Sequence, residues 1–178
     1  MASRIPPPVY RDFKELLSIL NDEKVKYLIV GGYAVSLHAQ PRATKDLDIL
    51  IRPSKRNAAA LFRALAKFGA PLGGLKPDDF TERGSFFRMG TPPFMVDILP
   101  EISGVGFDRA WRRRVTETVD ATTGLKVPFI SAAHLIAAKE AAGRAQDLAD
   151  VEALRKAQAR PAARARPRRR RTPPKPSR

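Results

Sequence analysis

Two aspartates stand one residue apart in DLDILI, residues 46–51, a stretch that otherwise reads as a strand. Residues i and i+2 of a strand point to the same face, with Cα atoms about 7 Å apart. Asp46 and Asp48 therefore present two carboxylates side by side, while Leu47, Ile49 and Ile51 anchor the other face. Two such groups repel, and one is driven toward protonation. A divalent cation removes that penalty, and Mg²⁺ (or Mn²⁺) takes one or two carboxylates together with substrate phosphates. The competing reading of a bare DxD is an edge strand with two solvated acids.

Three further features bear on that choice. Asp97 lies in PFMVDILP, an apolar strand-like run, where a lone carboxylate is costly unless paired, hydrogen-bonded or metal-bound. If its strand neighbours the first, Asp97 completes a three-carboxylate cluster. Gly31 and Gly32 separate a strand from a helix. Glycine lets backbone approach a ligand closely, and the amides of a helix start attract phosphate. The connecting loop adds Arg42, Thr44 and Lys45, of which the arginine suits bidentate phosphate contact. Taken together, these features suggest phosphates held between glycine amides and a metal on carboxylates.

The elements that must position these groups read as α/β (α+β). An arm over residues 1–11 is followed by a domain over 12–130. Phe13, Leu16, Leu17 and Leu20 have helical spacing, and Asn21-Asp22 reads as a turn. VKYLIV (25–30) is a strand, residues 33–39 a short helix, and 46–51 the second strand. Ser54 is the N-cap expected for a helix through Phe68. Residues 69–84 read as loop, 85–89 and 94–99 as a hairpin around Pro92-Pro93, and 107–114 as a short helix. Two short strands follow at 115–119 and 125–129. Residues 131–158 form a helical pair, opened by Ser131 and broken at Gly143, with a second helix from Gln146 to about Ala157.

The charge is unevenly placed. Net charge is +15 over 178 residues. Residues 155–178 hold eleven of the 33 Lys and Arg and no acid, leaving 22 basic against 18 acidic residues before them. The tail over 159–178, ending PAARARPRRRRTPPKPSR, has nothing to bury and reads as disordered. An arginine-rich tail binds nucleic acid without sequence preference and in a salt-dependent way. An acidic protein surface and a merely solubilising role are the alternatives. With no cysteine, no disulfide framework and no thiolate metal site exist. Without a signal peptide or a membrane-length apolar run, the expectation is a soluble cytoplasmic protein with no membrane partner.

In this order, GGYA at 31–34, RATKDLD at 42–48, Asp97 and KEAAGRAQDLAD at 139–150 resemble the nucleotidyltransferase superfamily with the polymerase-β-type fold. The likeness covers roughly residues 13–155 and is nearest to the small bacterial branch related to the AbiEii and MenT toxin proteins. It implies a mixed sheet flanked by helices and Mg²⁺-dependent transfer of NMP from an NTP. The acceptor hydroxyl would belong to RNA, protein or a small molecule, and a toxin–antitoxin role is one setting. Asp46 and Asp48 would bind Mg²⁺ and orient the triphosphate, with Gly31, Gly32, Arg42, Thr44 and Lys45 around the nucleotide. Asp97 would help hold a second metal and assist deprotonation of the acceptor, and Lys139 would reach the triphosphate. Arg144, Asp147 and Asp150 read as an ion-pair set linking the helices, and His38 and Trp111 as packed residues. Tyr33 stands where many catalytic members carry Ser. The other reading is therefore an inactive nucleotide-binding or regulatory module of the same fold. Oligomeric state is not legible.

Overall fold

The computed structural model describes residues 9–41 and 43–159 of the chain. The arm over 1–8, Arg42 and the tail from 160 onward lie outside the described residues. Helix α1 (Arg11–Asp22) buries Phe13, Leu16, Leu17 and Leu20, one stripe at helical spacing. It runs through Asn21-Asp22, and the chain reverses later, at Lys24, whose φ is +59°. Strand β1 (Tyr27–Ile29) leads through Val30 into α2 (Gly31–His38). The glycine pair is thus the first turn of the helix itself.

Strand β2 (Leu47–Ile51) is followed by α3 (Lys55–Phe68). The Ser54 hydroxyl caps α3 by accepting from Asn57 N, and Gly69 closes it in the left-handed region at φ +83°. The stretch expected to be loop carries a 3₁₀ helix, Pro77–Thr81. Buried Phe80 holds it down, its ring 6.3 Å from Phe62 and 5.5 Å from Phe87. Hairpin strands β3 (Phe87–Thr91) and β4 (Phe94–Leu99) come next, then α4 (Phe107–Arg112), β5 (Val115–Asp120) and β6 (Leu125–Phe129). Helices α5 (Ala132–Ala142) and α6 (Ala145–Ala159) complete the described chain. Ser131 caps α5, and Gly143 ends it at φ +67°.

The six strands form one mixed sheet in the order β3-β4-β2-β1-β6-β5. β2 pairs antiparallel with β1 and parallel with β4, so it is an interior strand, not an edge. Leu47, Ile49, Leu50 and Ile51 are all buried, which leaves Asp48 the one polar side chain of β2. Each buried aliphatic of this size is worth about 1.5–3 kcal/mol, so the strand is held firmly enough to carry a charge. Helices α1 and α3 pack on each other, while α2 packs against α5 and α6. Among the described residues no helix is long and apolar enough to cross a membrane.

Candidate active site

Parallel pairing of β2 with β4 sets Asp48 in register with Asp97. Neighbouring strands lie about 4.8 Å apart, and register partners point to the same face, so the two carboxylates share one side of the sheet. Asp97 is buried at 7% exposure and Asp48 is half-buried. Burial, then the charges of Asp97 and Asp46, push the Asp48 carboxyl up to about 6. The Gly32 backbone N–H, which donates to it, and the Lys139 charge pull the other way.

Gly31 makes room for this carboxylate. Its φ of +59° is unfavourable for any residue with a side chain, and a Cβ there would stand 1.9 Å from Asp48 Oδ2. The glycine pair therefore serves the aspartate directly: Gly31 by absence of a side chain, Gly32 by its amide.

Arg88 of β3 faces Asp97 across the hairpin, its register partner. Its Nε donates to Asp97 Oδ1 at 2.6 Å and its Nη2 to Oδ2 at 2.7 Å. The Phe86 ring lies 5.6 Å from the guanidinium carbon. On the opposite wall, the buried Lys139 ammonium reaches Asp147 and Asp150, each at 2.8 Å. Arg144 Nε donates to Asp147 Oδ2 at 2.6 Å. Burial raises the Asp147 carboxyl, but Arg144 and Lys139 outweigh it and hold it below the ordinary carboxylate range.

Gly31, Asp48, Arg88, Asp97, Lys139 and Arg144 line one cleft of about 550 Å³. Asp46, expected beside Asp48 on the strand, instead ends the loop just before β2, half-buried and outside the cleft lining, and its charge acts on Asp48 and Arg88. Thr44 donates to the Asp46 carbonyl at 3.5 Å, and Lys45 is exposed; neither lines the cleft. Arg42 lies outside the described residues. His38 is buried, with Nε2 at 2.6 Å from the Ile130 carbonyl. Trp111 stacks on Phe107 at 5.7 Å under the Arg114 guanidinium.

Among the described residues no group of three or more acids or histidines is arranged to hold a metal, and both oxygens of Asp97 are engaged by Arg88. The donor chemistry nevertheless fits a hard divalent cation: two carboxylates in register, with a third acid just before the strand. Mg²⁺ needs no more than one or two protein carboxylates when phosphates supply other oxygens.

Arg88 is the residue that the sequence reading passes over. Its signal lies in FFRM: a cation alternating with Phe87 and Met89 on a strand that folds back onto the strand of Asp97. Counting the hairpin register outward from Pro92-Pro93 puts the two opposite each other. Glu101, which also lines the cleft, carried no such signal.

A family model described as a nucleotidyltransferase of unknown function, DUF6036, matches residues 9–157. No match was found among curated proteins. Among solved structures, the lincomycin-bound lincosamide antibiotic adenylyltransferase LnuA superposes with a TM-score of 0.55 at 15% identity, over 85% of this chain and 99% of that one. A nucleotidyltransferase-like antigenic protein of Paracoccidioides brasiliensis gives 0.48 at 18% identity, over 84% and 77%. The antibiotic-resistance factor ANT(2'')-Ia gives 0.49 at 15% identity, over 82% and 80%. At these identities the likeness is one of fold.

Proposed function

The chain belongs to the DUF6036 family of nucleotidyltransferases, and on that premise we propose that it moves a nucleoside monophosphate from an NTP to a hydroxyl acceptor in the cleft between β2, β4 and α5. The register of Asp48 with Asp97 is the observation that carries this reading. These two, with Asp46, would hold Mg²⁺ or Mn²⁺, which supplies charge neutralisation to the transferring phosphoryl group. Lys139 and Arg144 line the same cleft from the opposite wall, each ion-paired with Asp147, and would meet a phosphate by turning from that acid. The start of α2 lies beside Asp48, where the Gly32 amide already donates to the carboxylate.

In the reaction, the acceptor oxygen forms a bond to the α-phosphorus, and the bond from that phosphorus to the α,β-bridging oxygen breaks. The hydroxyl proton goes to an oxygen of Asp97, and pyrophosphate leaves. Acceptor classes are RNA, protein and small hydroxylated molecules, and the basic tail favours an RNA by raising affinity for polyanions. The likeness to toxin-related members makes growth arrest on expression one readout of an RNA acceptor.

A second reading, nucleotide binding without turnover, is favoured by Tyr33. Its side chain is 1% exposed and packs edge-on against Phe13 at 6.2 Å. The hydroxyl at this position therefore points into the core and does not reach a phosphate.

The deciding experiment uses α-labelled NTPs with Mg²⁺ and, in separate arms, total RNA, cell lysate and hydroxylated small molecules including lincomycin. Transfer by the native chain, reduced about 100-fold or more in Asp48→Ala, is the expected result, the scale seen when one group that stabilises transition-state charge is lost. Binding of NTP with no transfer in any arm supports the second reading. Absence of binding and transfer overturns both.

A further inference from the structure

Asp97 is nearly enclosed: its side chain is 10% exposed, whereas that of Arg88 is 50% exposed. A buried carboxylate beside a second one needs a counter-charge, and the Arg88 guanidinium supplies it through two short bonds. The charges of Asp46 and Asp48 also attract this guanidinium. Arg88 thus supplies to Asp97 the positive charge that a divalent cation held by these acids would supply. Its plane sits at the cleft wall beside Phe86, half in solvent, on a side chain long enough to turn without moving the strand.

A planar fork that matches a carboxylate also matches a phosphate. Resting on the reading given under Proposed function, we propose that Arg88 is an exchange ligand. It is parked on Asp97 while the acids lack a cation, and it is passed to the substrate's phosphate when Asp97 turns to a bound divalent cation. Arg88 then opposes loading of the cation alone and favours loading of the cation together with triphosphate. The site discriminates against a bare metal and admits the metal–nucleotide pair.

The test uses the full chain and needs no turnover. Manganese binding is measured by electron paramagnetic resonance with Mn²⁺ alone. Binding of the preformed manganese–tripolyphosphate complex is measured by calorimetry. Arg88→Gln is expected to bind Mn²⁺ about tenfold more tightly and manganese–tripolyphosphate about tenfold more weakly, each the scale of one charge-assisted contact. Arg88→Lys, which keeps the charge and loses the fork, serves as a second variant and falls between the two, and circular dichroism melts confirm that both variants fold. The opposed shift is the signature. Both affinities falling together means that Arg88 only props Asp97 and overturns the proposal, as does any other pattern lacking opposite signs. If the native chain binds neither probe, the nucleotidyltransfer reading falls as well. If it binds both and Arg88→Gln changes nothing, only the exchange role falls.

Discussion

Gly31 and Asp48 leave no space for a side chain between them: a Cβ on the glycine would lie 1.9 Å from the Asp48 carboxylate oxygen. Gly31→Ala must therefore displace Asp48 as well as strain the backbone at φ +59°. Gly69, at φ +83° with open space around it, isolates the backbone part. Gly69→Ala should cost about 1–2 kcal/mol, the left-handed penalty alone. Gly31→Ala should cost clearly more and should also weaken Mn²⁺ binding, which Gly69→Ala leaves intact. Urea unfolding and manganese titration of the two variants check this.

The Tyr33 hydroxyl is buried and finds no hydrogen-bond partner among the described residues. Burial, then the nearby Tyr10, push its ionisation up to about 12. An orphaned buried hydroxyl costs about 1–3 kcal/mol. Tyr33→Phe keeps the ring against Phe13 and removes the hydroxyl, so it should raise stability by about 1 kcal/mol. A lower melting temperature for this variant would contradict the assignment.

Asp147 is held below the ordinary carboxylate range by Arg144 and Lys139 against the effect of burial. The folded chain therefore gives up this proton at lower pH than the unfolded chain. The stability it contributes is fully present above the unfolded value, near pH 4, and is lost as pH falls through the folded value. The gap in unfolding free energy between the native chain and Asp147→Asn should thus be widest at neutral pH and narrow at pH 3. A constant gap across that range would show that the ion pairs are not its source.

Asn57 is buried and ties the first helix turn of α3 to two strand ends. Its Oδ1 accepts from Lys26 N at 2.7 Å, and its Nδ2 donates to the carbonyls of Lys26 at 2.9 Å and Arg52 at 3.0 Å. Asn57→Ala leaves the Lys26 N–H without its partner, while the two carbonyls keep the Arg52 and Ser54 amides, and should cost about 1–3 kcal/mol. Because Asn57 lies beyond the Ile51 end of β2, remote from Asp48, triphosphate binding by the folded fraction should be unchanged. Denaturant titration with and without manganese–tripolyphosphate separates the two effects.

Much of this was legible in the sequence because it rests on local rules. The alternation in DLDILI placed Asp48 opposite the buried Leu47 and Ile49, and Ser54 and Ser131 announced their helices. The strand carrying Asp97 is identifiable from its apolar neighbours, but its parallel pairing with β2 is not. Strand order depends on which surfaces fit, and no local pattern records it. The Arg88–Asp97 pair was hidden for a related reason: a half-exposed arginine looks like any surface cation until the hairpin register is counted. The turn signal of Asn21-Asp22 does not end α1, which continues through Asp22. The Asn21 side chain is engaged with Lys126 and Tyr27, so residues that favour turns are retained in a helix by tertiary bonds.

The wall of the cleft opposite the sheet comes from the last described helices, with Lys139 on α5 and Asp147 on α6, some fifty residues after Asp97. At about 5–20 residues per second of synthesis, a growing polypeptide presents Asp48 and Asp97 to open water for several seconds before the helices arrive to enclose them. A copy cut before Lys139 has Asp48, Asp97 and Arg88 without the lysine and arginine of the opposite wall. On the proposed function, such a copy lacks the lysine and arginine that would meet a triphosphate from that wall.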